Sequence, residues 1–246
     1  MGEGQPGTQR RVPRERAVRE ARRRGRTRCV RPLPRRRASR TPGGDSQNVA
    51  VVGLTGGIGA GKTTALSMFS QLGAVTISSD EVVHSLYQKP ELRGEVARRF
   101  GPDVLDNEGR LDRSRLVEAV RGRGDELRWL EALTHPRVKE EIQRRIEEAP
   151  PGAVVVCEVP LLFESRCEDM FDLIVTVEAS AENRRRRSVH SFDEALFSEL
   201  EGLQAASEER MAGSDLVFLN EGDLAGLRAF VAHVYARAQE LLREGR

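Results

Sequence analysis

The segment best suited to chemistry runs from residue 56 to residue 63 and reads Gly-Gly-Ile-Gly-Ala-Gly-Lys-Thr. It fits the pattern of a glycine, four residues, and then Gly-Lys-Ser/Thr. Glycines let consecutive main-chain amides turn inward, where they bind phosphate oxygens at the N-terminus of a helix. In such a loop Lys62 reaches the β- and γ-phosphates of a nucleotide, and the Thr63 hydroxyl holds Mg²⁺. The segment therefore predicts a site for nucleotide phosphates.

The residues on either side of this loop predict the elements that such a site requires. Residues 48–54 form a short apolar run bounded by glycine, which predicts a buried parallel strand. Residues 63–72 place apolar side chains on one helical face and are followed by Gly73, which predicts a helix. The alternative, a glycine-rich surface turn with an exposed lysine, requires neither neighbour. The strand, loop and helix together favour the phosphate loop.

The rest of the chain predicts an α/β fold. Further strands are expected at residues 74–78, 153–159, 172–177 and 216–219. A helical stretch of residues 81–149 separates the second strand from the third, and its clearest helix spans residues 126–148 with a kink expected at Pro136. Because strands alternate with helices, we expect a five-stranded parallel sheet covered on both faces, which is a three-layer fold.

Two carboxylates follow predicted strands and are candidates for the site. Asp80 lies just past the second strand, where it could accept a hydroxyl proton or help to order Mg²⁺. The alternative is that the polar residues at 78–80 cap the helix that follows. Glu158 ends the third strand and could contact Mg²⁺ through water, whereas a buried structural carboxylate is the alternative.

Five stretches in order resemble the dephospho-CoA kinase family. Residues 53–64, Gly-Leu-Thr-Gly-Gly-Ile-Gly-Ala-Gly-Lys-Thr-Thr, resemble the family's opening segment. The others are Gly-Arg-Leu-Asp-Arg at 109–113, Leu-Glu-Ala-Leu-Thr-His-Pro at 130–136, Val-Pro-Leu-Leu-Phe-Glu at 159–164, and the Gln204 to Gly222 region. The resemblance covers about residues 49–225 of the 246. It implies a P-loop NTPase fold with a five-stranded parallel sheet, a helical substrate-binding insertion and a helical lid.

The resemblance also implies an activity and the residues that perform it. The activity is transfer of the γ-phosphoryl group of ATP, with Mg²⁺, to the ribose 3′-hydroxyl of dephospho-CoA. Asp80 would act as the base or orient that hydroxyl, and the insertion at about 81–149, including His135, would bind the dephospho-CoA. His135 could equally cap or pack within its helix. The residues that would bind the ATP phosphates are Gly59, Ala60, Gly61, Lys62, Thr63 and Thr64.

The sequence departs from the family at two positions that bear on catalysis. Ser78 stands where the family has the first aspartate of an Asp-x-Asp pair. In the lid, about residues 183–210, Val189 stands where a second arginine is expected by counting back from Gln204. The sequence therefore predicts that Arg187, or else Arg186, supplies the charge near the transferring phosphate. The alternative is a solvated run of charges on a helix.

Charge is divided unevenly along the chain. Residues 1–40 contain 15 Arg and 3 Glu, a net charge of +12, although the whole chain carries only +2. Residues 1–47 have too few large apolar residues to offset the entropy of ordering, so we predict a disordered basic arm followed by a kinase domain at 48–246. The arm could bind nucleic acid, act as a transit peptide, or be upstream DNA translated from an early start codon.

The remaining composition limits the possible compartments and partners. The three cysteines form no Cys-x-x-Cys pair, which argues against a disulfide framework or a zinc site. No apolar run is long enough to span a membrane, so we expect a cytoplasmic protein. We also expect a monomer or a small homo-oligomer. The acidic body, and an aromatic content of 4% for the whole chain, argue against nucleic acid as a partner. The rival functions are another small-molecule P-loop kinase and a nucleotide-binding homologue with reduced catalysis.

Overall fold

A central parallel sheet organises the chain. The structure, a computed structural model, describes residues 48–189 and 194–244, so the predicted basic arm and residues 190–193 of the predicted lid lie outside the described residues. Five strands pair in parallel in the order β2-β3-β1-β4-β5, which confirms the predicted sheet. The strands are β1 (Ala50–Thr55), β2 (Val75–Ser78), β3 (Val154–Glu158), β4 (Leu173–Glu178) and β5 (Leu216–Leu219).

Nine α-helices lie within the described part of the chain. The predicted helical stretch at 81–149 is divided into four helices, and the breaks between them fall at Pro90, Gly101 and Gly122. The longest of the four continues through Pro136. The helices are α1 (Lys62–Gln71), α2 (Ser79–Tyr87), α3 (Pro90–Phe100), α4 (Arg113–Val120), α5 (Gly124–Glu147), α6 (Ala181–Ser188), α7 (Glu194–Gly202), α8 (Ser207–Gly213) and α9 (Leu224–Glu244).

Two hydrophobic cores cover the two faces of the sheet. Along β1 the side chains alternate, so that Val51 belongs to the core under α2 to α5 and Val52 to the core under α1 and α9. A Cβ on Gly53 would lie 2.8 Å from the Phe171 ring, so glycine at this position lets the loop after β3 pack against β1. Of the helices in residues 48–189 and 194–244, none combines the length and apolarity that a membrane crossing requires.

The topology brings the carboxyl ends of three strands together. β1 lies between β3 and β4, and from β1 the chain continues to one side of the sheet and later returns on the other. Such a switch point opens a crevice beyond the strand ends, where open α/β sheets bind their ligands. The segment predicted to bind phosphate leaves β1 at this crevice, while Glu158 ends β3 and Glu178 ends β4.

Candidate active site

The loop between β1 and α1 has the backbone that the glycines were predicted to allow. Gly56 has φ +147°, and a Cβ there would lie 1.9 Å from the Val177 carbonyl oxygen. Gly61 has φ +106° and occupies the N-cap of α1, and a Cβ would lie 2.5 Å from Asn220 Nδ2. The first turn of α1 contains no acidic side chain, so the positive end of the helix dipole is available to an anion.

Lys62 lies inside this loop. It is buried, and its Nζ donates hydrogen bonds of 3.1 Å to the carbonyl oxygens of Gly56 and Gly57. Burial lowers the pKa of Lys62, and the charges of Glu158 and Glu178 oppose that shift. The ammonium group is therefore held at the mouth of the loop with two carboxylates close enough to favour its charged form.

Glu158 and Thr63 form the second polar group of the crevice. Burial raises the pKa of Glu158; Lys62 and a hydrogen bond from the Thr63 side chain oppose the rise, while Asp80 adds to it. No group of three or more His, Cys, Asp or Glu side chains within the described ranges could hold a metal ion alone. Mg²⁺ usually keeps water and phosphate ligands and takes only one or two protein oxygens. The Thr63 hydroxyl, which bonds to Glu158, fits that requirement.

Asp80 lies in the first turn of α2, and its side chain is 63% exposed. One carboxylate oxygen is 3.7 Å from a guanidinium nitrogen of Arg113. Ser78 occupies the N-cap of α2 but makes no side-chain capping hydrogen bond. Asp80 thus faces solvent at the crevice, and its charge acts on both Lys62 and Glu158.

A cavity of about 450 Å³ adjoins Asp80. It lies between α2, α5 and the loop that follows β3, and its size is that of a small-molecule pocket. Most of the wall is apolar and includes Ile142, Leu161 and Phe171, while Asp80, His135 and Lys139 supply titratable groups. The predicted insertion and the segment after β3 therefore line one pocket.

Three residues that the sequence did not single out for the site also contact the phosphate loop. Gln204 accepts a hydrogen bond from the Ile58 amide at 3.0 Å and donates to the carbonyl oxygens of Pro160 at 3.2 Å and Gly56 at 3.4 Å. Arg184 and Arg210 both approach Gly57. Gln204 and Arg210 belong to a stretch on which the family resemblance depends, and that was the signal available in the sequence.

The four consecutive arginines of α6 have different environments. Arg184 is buried against Gly57, whereas Arg186 is exposed and donates to Asn183 Oδ1. Arg187 donates to the main-chain oxygens of Ala60 at 3.4 Å and Asn220 at 2.9 Å. Arg187, the predicted lid cation, thus lies beside the phosphate loop with its guanidinium engaged by main-chain carbonyls.

The fold and the site define a class of protein: a kinase-like P-loop protein, with a phosphate loop at the switch point of a parallel sheet and a separate pocket beside it. The chain belongs to the dephospho-CoA kinase family, whose model matches residues 50–226.

Curated relatives agree with this assignment over most of their length. The chain is 37% identical over 202 residues to a dephospho-CoA kinase of Moorella thermoacetica, covering 79% of this chain and 94% of the relative. It is 35% identical over 178 residues to one of Mannheimia succiniciproducens, covering 71% and 83%.

Solved structures agree on the fold. A Thermus thermophilus protein superposes with a TM-score of 0.63 at 29% identity, covering 76% of this chain and 97% of that one. A dephospho-CoA kinase from Campylobacter jejuni superposes with a TM-score of 0.55 at 21% identity, covering 78% and 98%.

Proposed function

We propose that this protein transfers the γ-phosphoryl group of ATP to the ribose 3′-hydroxyl of dephospho-CoA. Asp80 acts as the base for that hydroxyl or orients it. The observation that carries the assignment of Asp80 is its position. It lines the apolar cavity and also acts electrostatically on Lys62 in the phosphate loop. A side chain between an acceptor pocket and a nucleotide site can orient a hydroxyl toward a phosphorus atom.

The phosphate loop supplies the nucleotide half of the site in this proposal. Main-chain amides from Gly59 to Thr64, at the N-terminus of α1, bind the phosphates. Lys62 leaves the two carbonyl oxygens that it now contacts and neutralises charge on the transferring group. Burial of its ammonium group strengthens that interaction, because there is less water to screen it.

Oxygen ligands for Mg²⁺ are available at the same place. The Thr63 hydroxyl would hold the ion, with Glu158 and Asp80 nearby. When bound, the ion would supply charge neutralisation between the phosphates. Burial and neighbouring acids raise the pKa of Glu158, so a bound cation would stabilise its charged form.

The acceptor half consists of the 450 Å³ cavity and its titratable rim. An adenosine-containing acceptor with a long apolar and amide arm needs apolar walls with a few polar groups, and this cavity provides both. His135 and Lys139, on one face of α5, lie where they can contact the acceptor's phosphates.

The test measures ADP release and phosphorylated product with dephospho-CoA, and compares nucleosides and nucleoside monophosphates as acceptors. Asp80→Asn should reduce kcat with dephospho-CoA by about 10²- to 10⁴-fold, the range for loss of a general base. ATP affinity should stay within about twofold, because Asp80 is outside the phosphate loop.

Asp103→Asn is the matched control, since Asp103 is an exposed aspartate of the same insertion that does not line the cavity. Full activity of the Asp80 variant would remove Asp80 from the mechanism. Turnover of another acceptor in preference to dephospho-CoA would reassign the substrate.

A further inference from the structure

The guanidinium of Arg184 lies against the start of the phosphate loop. The side chain is 9% exposed, and a Cβ on Gly57 would be 3.0 Å from Arg184 Cδ and 3.2 Å from Nη1. Lys62 donates to the carbonyl oxygen of the same Gly57. Arg184 and Lys62 therefore bring two buried cations to the same turn of the loop.

Arg184 has a hydrogen-bond donor to spare. Its Nε donates to the Ala179 carbonyl oxygen at 3.3 Å, and its Nη2 donates to Glu201 Oε1 in α7. Nη1 is buried and has no hydrogen-bond partner. A charged donor without a partner in the interior is costly, and folded proteins seldom leave one unless a ligand or solvent satisfies it. Nη1 is therefore a buried donor next to Gly57 that is free to bind an acceptor.

The neighbouring arginines are already committed to protein acceptors. Arg210 donates from Nε and Nη2 to Glu178 Oε1 at 2.7 and 2.6 Å, and from Nη1 to the Ala205 carbonyl oxygen. Arg187 donates to two main-chain oxygens, as described above. Among these three arginines beside the loop, Arg184 is the one with a buried nitrogen available for an anion.

We propose that Arg184, through Nη1, contacts the terminal phosphoryl group of ATP and stabilises the charge that develops on it during transfer. The inference rests on the proposed function and names the cation that acts at that site. Glu201 holds Nη2 and fixes the plane of the guanidinium, so that Nη1 is oriented before the nucleotide binds. Orientation in advance avoids reorganisation during the reaction, which is how a fixed donor stabilises a transition state.

The test compares Arg184→Gln with Arg184→Lys and with Arg186→Gln, which removes an exposed arginine from the same helix. Dissociation constants for ATP and ADP with Mg²⁺ are measured by calorimetry, and kcat is measured with dephospho-CoA. For Arg184→Gln we expect ADP affinity within about twofold of wild type, ATP affinity about tenfold weaker, and kcat lower by about 10²- to 10³-fold. Arg184→Lys should recover part of kcat, because it keeps the charge but not the planar fork.

A purely structural role would weaken ATP and ADP equally and lower the thermal midpoint of the nucleotide-free protein without changing the ratio of the two affinities. That result, or loss of activity in Arg186→Gln with retention in Arg184→Gln, would overturn the proposal. If Arg184→Gln does not fold, the same comparison is made with Arg184→Lys, for which an unchanged affinity ratio and kcat overturn it. If wild type does not phosphorylate dephospho-CoA, the proposed function fails, but the ATP and ADP affinities still decide the role of Arg184.

Discussion

Replacing Gln204 with leucine should loosen the phosphate loop from the acceptor pocket. Gln204 is half-buried and bonds to Ile58 and Gly56 in the loop and to Pro160 after β3. Pro160 also lines the 450 Å³ cavity, so a single side chain joins the phosphate loop to the wall of the proposed acceptor pocket. Leucine has a similar volume and removes all three hydrogen bonds.

The three distances set the size of the effect. The bonds to the Ile58 amide at 3.0 Å and to Pro160 at 3.2 Å have ordinary lengths, whereas the bond to Gly56 at 3.4 Å is long and contributes less. An ordinary bond contributes about 1 kcal/mol net. Because water can reach these half-buried groups, we expect Gln204→Leu to lower the free energy of unfolding by about 2 kcal/mol. ATP affinity should fall as well, because the Ile58 turn is no longer fixed.

Gln204→Glu tests the accepted hydrogen bond apart from the two donated ones. The carboxylate can still accept from the Ile58 amide, but at pH 7 it faces the carbonyl oxygens of Gly56 and Pro160 without a proton to donate. Gln204→Glu therefore keeps one of the three bonds and loses the other two.

Urea unfolding at pH 7 provides the assay. The Glu variant should be less stable than wild type, because it keeps the bond from the Ile58 amide and loses both donated bonds. A loss below about 0.5 kcal/mol for Gln204→Leu, or wild-type stability in the Glu variant, would refute the reasoning.

Two further substitutions test other parts of the structure. Glu141→Gln should lower the free energy of unfolding by about 2 kcal/mol at pH 7. Hydrogen bonds from Arg144 and then Arg145 lower the pKa of Glu141 to about 2, so the ionised carboxylate stabilises the folded state. Solvent screening of these partly exposed cations limits the size of the effect. Since the folded-state pKa is depressed, urea titrations should find the difference from wild type present above about pH 4.3 and lost as the pH falls toward 2. Gly61→Ala should weaken ATP binding at least about tenfold in calorimetry, because φ +106° is strained for alanine and its Cβ would lie 2.5 Å from Asn220 Nδ2. Wild-type affinity in that variant would contradict the loop geometry.

Local patterns sufficed to predict the sheet and the phosphate loop. The ends of each predicted strand lie within two residues of the observed ends. The prediction works because the strands of a parallel sheet are buried on both faces and are therefore short apolar runs, bounded by glycine or polar residues. The loop motif occupies consecutive residues, so its spacing alone predicts the backbone conformation of the loop. The sequence predicted the 81–149 stretch as helical without dividing it, although Pro90 and Gly101 are residues of the type that begin and end helices.

The contacts of Gln204 and Arg210 could not be obtained in the same way. Gln204 meets Ile58 across 146 residues, and Arg210 meets Glu178 across 32. No spacing rule connects residues so far apart, because their meeting depends on how three separate elements pack above the sheet. The family resemblance includes the stretch that contains Gln204 and Arg210, but it does not indicate what either side chain contacts.

The sequence of α6 does not show which of its four arginines face the phosphate loop. Four identical side chains in succession provide no apolar stripe from which to infer the buried face. That face is set by tertiary contacts: Arg184 and Ser188 are buried one turn apart, and both lie 2.5 Å from where a Cβ on Gly59 would stand, Arg184 through its carbonyl oxygen and Ser188 through Oγ. Residues at i, i+3 and i+4 share a face, so Arg187 turns toward the loop as well, while Arg185 and Arg186 are exposed.

Rotation of α6 thus places two arginines beside the phosphate loop, and hydrogen bonding distinguishes between them. Arg187 is held by the carbonyl oxygens of Ala60 and Asn220 near the C-terminal half of the loop, whereas Arg184 reaches Gly57 at its start with one nitrogen unpaired. Lys62 also bonds to the Gly57 carbonyl oxygen, so Arg184 and Lys62 lie together at the start of the loop. The sequence predicted a lid arginine at the transferring phosphate, and the packing of α6 against glycines 57 and 59 is the reason why we propose Arg184 for that role.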